Sequence, residues 1–229
     1  MRAPAHAATL EIAPVIVEMA GAATTVLTVT NRGNDLAAVQ IRGFAWSQTG
    51  NEDKLDKTDA LTVSPSIFQI PAGGSQTIRI LLRQPPKDRE TSYRLILDEL
   101  PPASDGQAVR FALRISVPIF ASPPTPVPAK PDFHIALDAE GNASLVIGNT
   151  GGRRVRLVNA VVSLPDGASA KAEPPANPYV LPDAERHWTL GPPAEGQKAP
   201  IFKAGQTATL TADSDSGPVR EVIRIAGAP

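Results

Sequence analysis

No cysteine occurs among the 229 residues. Thiol catalysis, disulfide staples and cysteine-based metal sites are therefore excluded. Aromatic residues make up only 4%, with two tryptophans and two tyrosines in all. That is too few for a platform that stacks nucleic-acid bases, and it gives little support to an accessory sugar-binding domain. No apolar run approaches the roughly 20 residues of a membrane-spanning helix. Neither sign of charge dominates, with 22 basic residues against 23 acidic, so no polyanionic partner is indicated. The three histidines, His6, His134 and His187, show no ligand spacing, and no metal site is expected. Neither a nucleophile elbow nor a Gly-rich phosphate loop is present. Asp213-Ser214-Asp215-Ser216-Gly217 lacks the downstream glutamate of a calcium loop and reads as a plain turn. The reading is of a non-enzymatic protein that needs no cofactor.

What the chain does have is 24 prolines and a 42% apolar content. Prolines interrupt helices and are confined to edges and turns in sheets, so an all-β chain with many loops is expected. Five prolines lie within Ala121–Pro131, ASPPTPVPAKP, which reads as a stiff linker. It separates a domain spanning residues 9–120 from one spanning 132–229, each of a size that suits a β-sandwich. Residues 1–8 read as a tail or a signal-peptide remnant, since Ala5-His6-Ala7 has the small-x-small pattern of cleavage sites.

The two halves share a pattern. Leu27, Val29, Asn31, Gly33 and Val39 in the first correspond to Leu145, Ile147, Asn149, Gly151 and Leu157 in the second, each pair 118 residues apart. Each set reads strand, Asn-x-Gly turn, strand. A degenerate tandem repeat of one sandwich type accounts for this, against two unrelated hairpins that share turn chemistry. Further strands are expected over Thr9–Val17 as one edge strand around Pro14, and over Val39–Trp46, Ser66–Ile70, Ser75–Leu82 and Ser92–Leu97. That makes about seven strands in the first domain. In the second they are expected over His134–Leu137, Ser144–Ile147, Arg154–Leu164, Thr207–Ala212 and Val219–Ile225, with 166–205 rich in loops.

One strand is unusual. Ala108–Phe120, AVRFALRISVPIF, places Val109, Phe111, Leu113, Ile115, Val117 and Ile119 on one face. Globular strands are usually about 5–6 residues long. A single sandwich does not require six alternating apolar positions, so part of this ribbon is available to something else.

An ordered series of motifs carries a resemblance. Val29-Thr30-Asn31-Arg32-Gly33 is followed by Phe44-Ala45-Trp46, Ser64-Pro65-Ser66-Ile67-Phe68 and Ile70-Pro71-Ala72-Gly73. Then come Asp88-Arg89-Glu90-Thr91-Ser92-Tyr93-Arg94-Leu95, Asp98-Glu99-Leu100-Pro101-Pro102 and Val117-Pro118-Ile119-Phe120. The series resembles the periplasmic chaperones of the chaperone–usher pilus pathway, most of all the archaic branch whose pilins are of the spore coat U type. The resemblance implies two immunoglobulin-like β-sandwich domains in an L-shaped arrangement. It implies a periplasmic protein with pilin subunits and an outer-membrane usher as partners, acting by strand donation. It places the donor strand at Val109, Phe111, Leu113, Ile115 and Val117, and a pilin-binding edge strand at Ile12, Val15 and Val17. It makes Trp46 and Tyr93 structural residues of core and corner. The Arg–Lys pair that anchors a pilin carboxylate in the better-known branch has no counterpart. Pro14 or Val15 stands at the first position and Pro118 at the second, and Arg94 and Arg114 are substitutes on charge alone. The free donor strand also leaves self-association open. The rival reading is a structural or adhesive tandem immunoglobulin-like module at the cell surface.

Overall fold

The computed structural model describes residues 10–100, 113–192 and 198–227, all strand, turn or loop. The chain forms two compact units. The first comprises the chain up to Ser47 together with Leu55–Pro126, and the second comprises Gln48–Lys54 and the chain from Val127 onward. Both are β-sandwiches.

Apart from residues 48–54 at the ends of β4 and β5, which count with the second unit, the described strands of the first unit are β1 (Leu10–Ala13), β2 (Val17–Ala20), β3 (Thr24–Asn31), β4 (Ala37–Thr49), β5 (Glu52–Lys57), β6 (Leu61–Ser64), β7 (Ile67–Ile70), β8 (Ser75–Leu82), β9 (Thr91–Leu100) and β10 (Arg114–Ser122). One sheet has the order β1-β3-β8-β6 and the other β2-β10-β9-β4-β5, with β7 also paired to β4. Alternation puts Leu27 and Val29 of β3, Ile78 and Ile80 of β8, Val39 and Ile41 of β4, and Leu95 and Leu97 of β9 into one shared core.

Several expectations change here. Thr9–Val17 is not one strand. β1 pairs with β3 in one sheet and β2 pairs with β10 in the other, and the chain crosses between them at Pro14-Val15-Ile16. The apolar register records the crossing: Leu10 and Ile12 face the core on even numbers, Val17 and Met19 on odd. β5 and β6 were not legible, because Glu52–Lys57 is exposed along its whole length and offers no apolar face. Pro118 lies inside a strand that continues to Ser122, so Ala121 and Ser122 belong to β10 and not to the linker. Pro131 likewise begins the next strand.

The second unit contains β11 (Pro131–Leu137), β12 (Ala143–Asn149), β13 (Val155–Ser163), β14 (Ser169–Glu173), β15 (Tyr179–Val180), β16 (Ala184–Leu190), β17 (Thr207–Ser214) and β18 (Gly217–Ala226). They run in the order β14-β16-β12-β11-β18-β17-β13-β15. β14, β15 and β16 occupy the stretch expected to be mostly loop. Asp213–Gly217 is the tight β17–β18 connection, with Asp213 accepting from Asn159 Nδ2 at 2.8 Å.

The repeat is visible atom by atom. Asn31 and Asn149 are both buried at the end of corresponding strands, β3 and β12. Asn31 Nδ2 donates to the carbonyls of Asp35 (2.7 Å) and Ile70 (3.0 Å), and its Oδ1 accepts from Gly33 N (2.9 Å). Asn149 Nδ2 donates to Arg153 O (2.8 Å) and Val180 O (3.1 Å), and its Oδ1 accepts from Gly151 N (3.0 Å). The backbone repeats the pattern, with Gly73 N donating to Asn31 O and Asp183 N to Asn149 O. Both donors have positive φ, +70° and +60°. One side chain thus ties its own turn to a third strand, and it does so twice. Two unrelated hairpins do not share such a bond set, so the tandem-repeat reading is the correct one. Gly151 has an added reason to be glycine. A Cβ there would lie 2.3 Å from Lys130 N and 2.6 Å from Pro128 O, because the chain leading into β11 passes directly against it.

Asn31→Ala or Asn149→Ala strands two buried carbonyls and one amide. Each substitution is expected to destabilise its own unit by about 1–3 kcal/mol, read by urea unfolding.

Candidate functional site

Among the described residues β10 is covered by a neighbour on one side over only part of its length. It pairs antiparallel with β9 from Arg114↔Asp98 to Ala121↔Thr91. On its other side β2 runs parallel to it only over Ile119–Ser122. Among the described residues no strand flanks that side of Arg114–Val117.

The hydrogen-bond parity of this stretch is fixed. Glu99 N donates to Leu113 O at 2.9 Å, so odd-numbered residues exchange bonds with β9. Gly21 N donates to Ser122 O at 3.0 Å, so even-numbered residues face the β2 side. Arg114 and Ser116 therefore present N–H and C=O groups to the open edge, while the Pro118 carbonyl is placed by the Ile119↔Val17 pairing to accept from Val17 N. A proline is tolerated mid-strand at this position because the N–H it lacks would point into the gap. A strand laid alongside would find two donors and two acceptors in regular array.

Side chains on the odd register face inward. Ile119 is fully buried and Val117 is 2% exposed, both within the domain's own core. Ile115 packs against the core edge and is only partly covered, while Leu113 is 37% exposed. Coverage falls steadily towards the end that β2 does not reach. Because β2 runs parallel to β10, the preceding β1 lies level with the open stretch, on the facing sheet. β1 is itself an edge strand, paired only with β3. Leu10 and Ile12 on β1 are partly buried against the same core, as Ile115 is. The result is a mouth between the sheets, apolar inside and rimmed by unpaired backbone.

The residues expected at a binding site fall in different places. Ile115 and Ile12 both pack against the edge of the core, and Leu113 lies exposed on the same register of the chain as Ile115. Val17 lies buried in the core on β2 beside β10, Val117 lies in the core, and Val15 is 69% exposed in the crossover. Val109 and Phe111 lie outside the described residues. Tyr93 belongs to the core cluster. Trp46 is buried but is not in that core. Its neighbour Ala45 packs inward, so Trp46 faces the opposite side of the sheet. There the Arg94 guanidinium sits 3.7 Å above its ring, and Phe120 lies at 5.8 Å.

Arg114, offered on charge alone as an anchor, is occupied. Its Nε lies 2.5 Å from Asp98 Oδ1, and Arg42 Nη2 lies 2.5 Å from Asp98 Oδ2. The hydrogen bond from Arg114, followed by that from Arg42, holds the Asp98 carboxyl below the usual carboxylate range, against the opposing effect of burial. This triad spans β4, β9 and β10 and pins their register at the mouth. Its sequence signal was the alternation of Arg114 on β10 and Asp98 on β9. Antiparallel pairing of those strands had to be known before the two could be joined.

A family model for the pili and flagellar-assembly chaperone, PapD N-terminal domain, matches residues 9–126. The chain is 35% identical over 99 residues to chaperone protein FaeE and 34% identical over 99 residues to chaperone protein ClpE, both of Escherichia coli. The matched stretch covers 42% of this chain in each case, and the chain spans just over a third of the length of these curated relatives. Among solved structures it is similar to the CsuC–CsuE chaperone–tip adhesion subunit pre-assembly complex of archaic chaperone-usher Csu pili from Acinetobacter baumannii. There the TM-score is 0.64 and the identity 24%, over 96% of this chain and 100% of that one. It is also similar to the Salmonella enterica SafA pilin–SafB chaperone complex, with a TM-score of 0.62 and 17% identity over 94% of this chain and 96% of that one.

Asp98 titrates below its ordinary value of about 4. Its contribution to stability is therefore complete above that value and is lost as pH falls through the depressed one. Acidification from pH 7 to pH 3 should destabilise the first unit, and Asp98→Asn should flatten that dependence, measured by urea midpoints at the two pH values.

Proposed function

From the premise that this chain belongs to the pilus and flagellar-assembly chaperones, a family of assembly factors and not of enzymes, we propose that it caps pilin subunits by strand donation. The open stretch of β10 lends its backbone to a pilin that lacks a strand of its own. Delivery to an outer-membrane usher follows, and the periplasm is the compartment in which this takes place. The observation that carries the reading is the unpaired edge Arg114–Val117 above an apolar mouth.

The chemistry is β-augmentation. Main-chain bonds from Arg114 and Ser116 supply affinity that is indifferent to side chains, and the inward residues supply selectivity. Leu113 and Ile115 offer apolar surface that the home core leaves uncovered, and Val109 and Phe111 continue the same alternation in sequence. Val117 reaches the pilin only where the two cores meet. Each side chain newly buried contributes about 1.5–3 kcal/mol before ordering costs. On the facing sheet Ile12 is the residue of the edge strand placed to touch the subunit, with Val15 beside it and Val17 holding β2 against β10. The subunit is held by an edge and a mouth, so nothing in the cycle requires a nucleotide. In the absence of pilin, the same edge is open to a second copy of the chain.

Leu113 is the better probe, because it lies outside the home core, whereas Ile115 helps to close it. Wild type is expected to co-purify one-to-one with a pilin encoded beside its gene. Leu113→Asp, folded by circular dichroism, should lose at least about tenfold in capture. Undiminished capture by Leu113→Asp and Ile115→Asp alike would move the site away from β10, and no capture by wild type would favour a structural surface module.

A further inference from the structure

The tandem repeat gives the second unit the same exposed edge. β18 pairs antiparallel with β17 along its whole length, from Ser214↔Gly217 to Thr207↔Arg224. On its other side β11 runs parallel to it only at Arg224, Ile225 and Ala226. Ile225 N donates to Gln206 O, and Ile225 O accepts from Gly205 N, each at 2.9 Å, so odd residues again bond inward along the sheet. Arg220 and Val222 therefore turn N–H and C=O groups to a side that no strand covers among the described residues, as Arg114 and Ser116 do on β10. The geometry of β10 is built twice.

The side chains differ at one decisive place. Counting back from the start of the parallel pairing, the first inward residue is Val117 on β10 and Ile223 on β18. Both are buried. The next inward residue is Ile115 on β10 and Glu221 on β18. Glu221 is exposed, on the same face as Ile223 and Ile225, at the mouth of the second sandwich. A strand added to this edge would seat its own inward residue beside that carboxylate and take it out of water. An inward-pointing charge is among the devices that keep sheet edges from pairing. The outward face needs such a device, because Val222 is 73% exposed between Arg220 and Arg224.

We propose that Glu221 is the specificity-determining residue that closes the second unit's edge to strand addition and so confines pairing to β10. The two edges have equivalent backbones, and selection between them lies in Ile115 against Glu221. This draws on the reading of β10 as the donor only for contrast, and its test does not need a pilin.

The experiment uses the full chain carrying Leu113→Asp, which silences the first edge, with or without a change at Glu221. Leu113→Asp alone is expected to sediment as a monomer. Adding Glu221→Ile should produce concentration-dependent association, with the apparent mass rising towards that of a dimer. Adding Glu221→Lys should leave it monomeric, because any charge guards the edge. Hydrogen exchange gives a second readout on folded protein. The Arg220 and Val222 amides should exchange rapidly in the parent and become protected in the Glu221→Ile protein. Association of the lysine variant to the same extent, or an isoleucine variant that stays monomeric with unchanged exchange, would overturn the proposal. Glu221→Val replaces Glu221→Ile if the latter fails to fold. A failure of pilin capture through β10 would leave these sedimentation results untouched, so the two readings fail separately.

Discussion

Every backbone N–H and C=O in a sheet must find a partner or face water, and this protein is organised around where that requirement is left unmet. At the corners it is met by one side chain. Asn31 and Asn149 each close a turn and reach across to a third strand, so that the strands of each sandwich are joined where they would otherwise fray. With the corners fixed, β9 and β10 in the first unit and β17 and β18 in the second are held in register. The parallel neighbours β2 and β11 then cover only part of β10 and β18 respectively. What stays unpaired is a defined run of donors and acceptors, held rigid by everything behind it.

Such an edge is both a hazard and a tool. The first unit presents it above a mouth whose apolar coverage thins from Ile119 to Leu113, so an incoming strand finds backbone bonds and apolar surface together. The Asp98 pair with Arg42 and Arg114 stands on the opposite face of the same strands and stiffens them without intruding on the mouth. The second unit has the same backbone geometry with a carboxylate in place of the isoleucine. Duplication supplies two equivalent edges, and a single inward side chain suffices to make them different, because a buried charge without a partner is far more costly than a missing contact.

The family relationship and the geometry bear on different questions. Membership rests on the match over residues 9–126. The open stretch of β10 makes strand donation physically available to this chain, since it offers unsatisfied main chain beside uncovered apolar side chains. Nothing in that arrangement depends on a bound group.

Much was legible in the sequence, because strand alternation and turn chemistry are local. The all-β class, the Asn-x-Gly repeat and the alternation of β10 over its described residues all follow from neighbours along the chain. The division of Thr9–Val17 was also present, as a change from even to odd apolar positions across Pro14, though only the two sheets give that change a meaning. Tertiary structure alone decided the rest, since pairing is non-local. Alternation tells which residues share a face, but not which strand lies beside them. It could not say that β2 stops at Ile119, that Pro118 points its missing N–H into the gap, or that Val117 is committed to the home core. Nor could it join Arg114 to Asp98, or turn Trp46 away from the core to lie under Arg94. Glu221 is the clearest case: in sequence it is one acidic residue in an alternating strand, and it acquires a role only because the sheet leaves its side of β18 uncovered.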